Sequence, residues 1–303
     1  MIFKVNNLGQ LKEAEVDLNK DLILLTGQNN TGKTYLAYAI YGFLECREIL
    51  NAFDQNVIFF PAERTAINSF SKELDFLKNK VNRYPKPIQD SLKTAEDLLR
   101  ISKHRQSEYS HLADELEKEI LGGTISVSEY GDLRFKPENS EISPLEIHLT
   151  GSMIKSLAGI SFYFRHLAQK HDCIIIDEPE NHLHPDNQLK ITRFFGRLIN
   201  EGFKVIISTH SDYIIKEINN LVMLSKESEA QKELLKKYKY AENELIKPER
   251  IEALLFRKLD GNEQITPNKI EVSETGLSVE TIDEEIHKLR NLSRNIYFEL
   301  FEN

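Results

Sequence analysis

Eight residues constrain this chain more than any others: "GQNNTGKT", Gly27 to Thr34, directly after the apolar run "LILLT". Two glycines separated by four residues, then lysine and a hydroxyl residue, form the pattern of a phosphate-binding loop. Each residue type has its reason. Glycine lets the backbone curl until its N–H groups face the phosphates, Lys33 neutralises the β and γ oxygens, and the Thr34 hydroxyl is a ligand for Mg²⁺. The candidate nucleotide-binding residues are therefore Gly27, Gln28, Asn29, Asn30, Thr31, Gly32, Lys33, Thr34 and Tyr35, with ATP and Mg²⁺ as the implied cofactors. Such a loop needs a buried strand before it and a helix that begins in it and adds its positive end. The apolar run is that strand, and Leu36, Ile40, Phe43 and Leu44 fall on one side of a helix expected from Thr34 to about Leu50.

The loop also needs a carboxylate to orient Mg²⁺ from the end of a neighbouring strand. Asp177, after "CIII", meets that need, and Glu178 lies one step beyond, where it would polarise a water attacking the terminal phosphate. The stretch "DEPENHLHPD" also carries His182 and His184, separated by one leucine. An H-x-H pair beside acids occurs in metal sites, but no further ligand at suitable spacing accompanies this one. Packing or hydrogen bonding at a subunit contact is the expectation for both rings. His210 is placed differently. It ends the next apolar strand, "KVIISTH", so it should reach the same sheet edge as Lys33 and Asp177 and contact the terminal phosphate.

Elsewhere the chain alternates strand-like and helix-like segments, the mark of a parallel sheet with helices on its faces. "NVIFFPAERT" reads as a strand, and "GGTISVSEYGDLRFKP" as a strand pair. Met153, Leu157, Ile160, Phe164 and Leu167 recur at steps of four and three, which is an amphipathic helix leading into "CIIID". Between Asn68 and Ile120 the texture changes. Phe70, Leu74, Leu77 and Val81 keep helical spacing, "NRYPKP" breaks it, and a second stretch from Ile88 carries the stripe Tyr109, Leu112, Leu116, Ile120. This region is read as an inserted helical hairpin whose longer arm, unbroken, would reach roughly 50 Å at ~1.5 Å per residue; two ordinary packed helices are the alternative. Beyond residue 225 come two helical patches, 227–241 and 279–300, around strand-like pieces.

A net charge of -9 argues against coating nucleic acid by bulk charge, though not against a local basic patch. Lys78, Lys80, Arg83 and Lys86, or Arg100, Lys103 and Arg105, are the candidates for one. Cys46 and Cys173 sit in apolar surroundings and read as buried thiols in a reducing compartment. The opening residues lack the pattern of a signal peptide, and no apolar run approaches the ~20 residues of a membrane span. A cytoplasmic protein without a membrane partner is expected.

Taken in order, the phosphate loop, "DEPENHLHPD" and "STH" resemble the ABC-type ATPases, within them the branch of SMC, RecF and OLD-type ATPases, and most of all the stand-alone OLD-like ATPases of bacterial antiviral systems. The resemblance covers about residues 1–66 and 145–225 and implies an α/β fold, an ABC-type core with a mixed or parallel sheet. Joined to the segments read above, it gives a core over 1–66 and 121–225, the helical hairpin inserted at 67–120, and an α/β C-terminal extension over 226–303. It implies a signature segment, here "LTGSMIKSL", where Gly151 and Ser152 remain but the second glycine and the glutamine do not. Either Glu63 or Gln55 would stand for the Q-loop glutamine, and Arg64 for a phosphate or partner contact. It also implies a homodimer closed head to tail over two ATP, with Glu178 and His210 as catalytic residues and Thr34 and Asp177 as metal ligands. Such a dimer would act as a switch that senses or clamps a target and controls a separate effector, a nuclease or toxin. The alternative is a RecF-like repair ATPase that binds DNA. A transporter subunit is disfavoured by the altered signature, the insertion and "NHLHP".

Overall fold

Apolar runs without alternation need cover on both faces, so they belong inside a sheet flanked by helices. The computed structural model, which describes residues 1–49, 56–70, 83–258 and 264–301, builds such a sheet. An antiparallel hairpin, β1 (Ile2–Leu8) and β2 (Leu11–Asp17), precedes β3 (Leu22–Gly27) and α1 (Lys33–Ile49). Then follow β4 (Val57–Phe60), α2 (Arg64–Phe70), α3 (Lys86–Glu96), α4 (Leu98–His104) and α5 (Ser110–Leu116). A small antiparallel sheet of β5 (Gly123–Val127), β6 (Leu133–Pro137) and β7 (Leu145–Glu146) leads to α6 (Ser152–His166). Next come β8 (Cys173–Asp177), α7 (Pro185–Asn200), β9 (Lys204–Thr209) and α8 (Asp212–Leu224). The chain ends with α9 (Glu229–Tyr238), β10 (Ile251–Phe256), β11 (Asn268–Ile270) and α10 (Glu280–Phe301).

The main sheet has the order β11-β10-β3-β9-β8-β4 and is parallel except for β11. Every residue of β3, β8 and β10 is buried. Alternation within β3 divides the core in two. Ile23 and Leu25 join Leu36 and Ile40 of α1 on one face, while Leu22 and Leu24 join Leu116, Leu157, Phe164, Phe194 and Ile214 of the other helices. Fully burying one such side chain is worth about 1.5–3 kcal/mol, so the two-sided cover is what makes these strands possible.

Three expectations change. The stretch from Ile88 toward Ile120 is not one long arm, for it breaks at Asp97 and again beyond His104. Its stripe of Tyr109, Leu112, Leu116 and Ile120 is buried in the main core, because α6 offers a matching apolar face. The arm read around Leu74, Leu77 and Val81 lies outside the described residues. Second, the main sheet does not stop at residue 225: β10 pairs in parallel with β3, from Ile251↔Leu22 to Phe256↔Gly27. A carboxylate within its run, Glu252, hides this strand's buried character in the sequence; Lys269 of β11 pairs with it at 2.7 Å. Third, only Cys173 is buried, while Cys46 is exposed near the end of α1.

The segment after α9 is docked closely enough to be tested. A Cβ on Gly196 of α7 would lie 2.0 Å from the carbonyl oxygen of Glu244. Glycine-to-alanine in a helix ordinarily gains up to ~1 kcal/mol. Here Gly196→Ala should instead cost about 1–3 kcal/mol, as overpacking does, and lower the urea midpoint. An unchanged or raised midpoint would mean that this segment does not rest on α7.

Candidate nucleotide-hydrolysis site

Three parallel strands in step bring their ends to one edge, the place where open α/β sheets bind ligands. Thr26 of β3 lies opposite Thr209 of β9, and Ser208 of β9 opposite Asp177 of β8. Gly27 leaves β3 with φ 122°, and a Cβ there would meet the Phe256 carbonyl oxygen at 2.1 Å. Only glycine tolerates both demands. The loop is further held by Gln28, whose N–H donates to Phe256 O at 3.1 Å and whose Oε1 accepts from Lys258 N at 2.9 Å. Thr31 donates to Gln28 O at 2.7 Å. Gln28, Asn29, Asn30 and Tyr35 are exposed, and Gly32 has φ 94°.

Lys33 is buried, and its Nζ donates to the carbonyls of Gly27 at 3.0 Å and Gln28 at 2.7 Å. Burial lowers its pKa, while Glu178, Asp177 and Glu180 pull the other way. Asp177 is buried too; burial raises its pKa, opposed by hydrogen bonds from Ser208 and Thr34. The Thr34 hydroxyl reaches Asp177 Oδ2 at 3.0 Å, and the Ser208 hydroxyl donates to Oδ1. The sequence places Asp177 on a strand neighbouring the loop's own, but β9 stands between β3 and β8; Thr34 closes the gap from the start of α1. A hydroxyl and a carboxylate already in contact suit a hard divalent cation, which takes oxygen ligands.

Glu178 follows with φ 49°, its N–H donating to Ser208 O at 3.0 Å and its Oε2 accepting from Asn181 Nδ2 at 2.8 Å. The backbone of this turn is gripped from below. Arg64 Nη1 donates to Asp177 O at 2.8 Å and Nη2 to Glu178 O at 2.9 Å. Burial lowers the Arg64 pKa to about 10, against the attraction of Glu180, Asp177 and Glu178. Arg64 is thus buried under the turn rather than extended toward a phosphate or partner. A lone "R" after "PAE" carries no sign of this, since its ligands are backbone oxygens distant in sequence.

His210 lies at the end of β9 with its ring 43% exposed, and Glu180 meets both its backbone and its Nδ1. Glu180, Asn181 and Ser208 were all missed by sequence reasoning; the second glutamate of "DEPE" was the available signal. Gly151 caps α6 with open space around its Cβ position, and Ser152 is exposed. Glu63 is exposed, and Gln55 lies outside the described residues. His182 and His184 are exposed, and His184 Nδ1 accepts from Asp186 N at 3.4 Å as the cap of α7.

Among the candidate basic residues, Lys86 pairs with Glu45 and Asp90, and Arg100 pairs with Asp97. Lys78 and Lys80 lie outside the described residues. Arg83, Lys103 and Arg105 are exposed. No helix among the described residues is long and apolar enough to cross a membrane.

A phosphate loop, an acidic strand end and a histidine strand end on one parallel sheet define a nucleotide-hydrolysing α/β domain. Residues 1–51 and 47–215 match the AAA ATPase domain family, and the chain belongs to it. The fold is similar to that of an SMC head solved with the C-winged helix domain of ScpA, with a TM-score of 0.50 and 11% identity over 90% of this chain and 97% of that one. Over 113 residues the sequence is 32% identical to the energy-coupling factor transporter ATP-binding protein EcfA of Carboxydothermus hydrogenoformans, covering 36% of this chain and 37% of the relative. Over 132 residues it is 31% identical to EcfA2 of Mycoplasma mobile, covering 39% and 41%. The chain therefore spans well under half of either relative.

Removing the Lys33 ammonium tests the loop. Lys33→Ala should weaken binding of a fluorescent ATP analogue about 10- to 100-fold, the scale of hydrogen bonds to charged groups. Titration at parent-like affinity would show that the loop does not hold the terminal phosphates.

Proposed function

We propose that two copies of this chain close head to tail over two ATP molecules, and that hydrolysis loosens the pair. The observation that carries this reading is the exposed start of α6. Gly151 and Ser152 stand at a helix N-terminus whose first N–H groups lack intrahelical partners, and the Cβ position of Gly151 meets nothing within 4 Å among the described residues. A second copy's terminal phosphate suits that end. The chain carries one phosphate loop and one such segment, so each copy supplies what the other lacks.

Within each half, the loop from Gly27 to Thr34 binds the triphosphate, and Tyr35 lies at its rim. Thr34 and Asp177 would hold Mg²⁺, and the cation would offset charge on the phosphate oxygens. Glu178 accepts the proton of the attacking water once its carboxylate turns from Asn181. His210 contacts the terminal phosphate and loses that contact after hydrolysis. The ATPase core in this reading covers 1–66 and 121–225, completed by β10. The helices inserted after residue 67 sense or clamp a target, and the dimer controls a separate effector, a nuclease or toxin, in antiviral defence. The support for that last step is the likeness of "DEPENHLHPD" to OLD-like ATPases. The relatives named as transporter ATP-binding proteins share just over a third of the chain, which supports ATP binding.

Glu178→Gln tests the arrangement. The variant should bind ATP, turn over about 10²–10⁴-fold more slowly, as expected for loss of a general base, and run as a dimer with ATP by light scattering. Hydrolysis at the parent rate, or a monomer at saturating ATP, would defeat the reading. Salt-sensitive retention of duplex DNA by the parent protein would favour a repair ATPase instead.

A further inference from the structure

A buried carboxylate with no task in this scheme lies beside the site. Glu180 stands two residues beyond Glu178, in the turn between β8 and α7, and is 7% exposed. Its Oε1 gathers three groups from the end of β9: the Thr209 hydroxyl at 2.8 Å, the His210 N–H at 2.9 Å and the His210 ring, whose Nδ1 lies at 3.3 Å. Its Oε2 is buried without a hydrogen-bond partner among the described residues. A buried carboxylate with one oxygen unpaired is costly, so a turn that only needed to cover β9 would do better with an uncharged side chain. The anion lies near Arg64 and Lys33, both of which feel its charge.

The two nitrogens of an imidazole are distinct, and a partner on one decides what the other presents. With Nδ1 drawn inward to Glu180, the outer edge of the His210 ring is left to Nε2. We infer that Glu180 is a positioning residue: it holds the His210 ring with Nδ1–H donated to its carboxylate and Nε2 directed at the terminal phosphate. Because Glu180 shares a turn with Glu178, the same carboxylate ties the ring to the segment that carries the base. The tie extends further. The Thr209 hydroxyl accepts from Ser211 N at 3.0 Å, and Ser211 caps α8 and donates to Gln188 of α7. A shift of the ring is thus shared with the starts of two helices. The inference rests on His210 being the contact to the terminal phosphate, as proposed above.

Glu180→Gln keeps the side-chain volume and one acceptor oxygen for the Thr209 hydroxyl and the His210 N–H. It should lower kcat about 10- to 100-fold, the range for residues that orient a functional group from behind, while the Kd for a fluorescent ATP analogue stays within about twofold. Combined with His210→Ala it should slow turnover no further than His210→Ala alone, since both act through one ring. In the parent protein with isotope-labelled histidine, nitrogen chemical shifts should place a proton on Nδ1 of His210. Parent-like turnover in Glu180→Gln, multiplying effects in the double variant, or an unprotonated Nδ1 in the parent would each overturn the inference, and the last needs no variant to fold. If His210→Ala is slow and Glu180→Gln is not, the inference alone fails. If His210→Ala turns over at the parent rate while Lys33→Ala is dead, the phosphate-contact reading fails and takes the inference with it.

Discussion

The parallel register of β3, β9 and β8 is the constraint on which everything else in this molecule depends. Ladder hydrogen bonds hold the three strands in step, so a loop, a carboxylate and an imidazole from three distant parts of the sequence arrive at one edge. A slip of one residue would turn every side chain of a strand to the opposite face. The two-part core guards against that, because β3 sends alternate residues into two different sets of helices. The Thr34–Asp177–Ser208 hydroxyl and carboxylate chain adds a polar lock across the same edge.

Charge is then gathered where water is scarce. Lys33 and Arg64 face Asp177, Glu178 and Glu180, and several of these side chains are buried. Removing such groups from water is costly unless each finds partners. Here the partners are largely backbone. Lys33 donates to its own loop, and Arg64 donates to the turn that carries the acids. Both cations thereby fix main-chain geometry while neutralising nearby carboxylates. The left-handed backbone at Glu178 persists inside that grip, as strained residues do when their surroundings over-determine them.

The C-terminal third is part of the same apparatus. Phe256 and Lys258 hydrogen-bond directly to Gln28, so the strand that follows α9 helps to shape the phosphate loop. The helices after β4 are tied in by space rather than by sequence: α5 buries its stripe on α6, which Gly151 caps. By contrast, α10 displays Leu289, Leu292, Leu300 and Phe301 to solvent.

Read alone, the sequence determined the α/β class, the phosphate loop, the acidic end of β8 and the histidine end of β9. These are local facts: an apolar run, a turn chemistry and a charged residue at a fixed offset. It also located α6 and the β5–β6 pair, whose periods are clean. It did not reveal that β9 separates β3 from β8, that β10 completes the sheet, or that the long helical stretch is broken and packed. Nor did it assign Arg64, Glu180 and Ser208. Strand order, and the partners of a buried polar group, depend on residues far apart in sequence that leave no mark on one another's neighbours. Only the tertiary structure decides them, because burial, and with it the demand that every charge find a partner, exists only once the chain has folded.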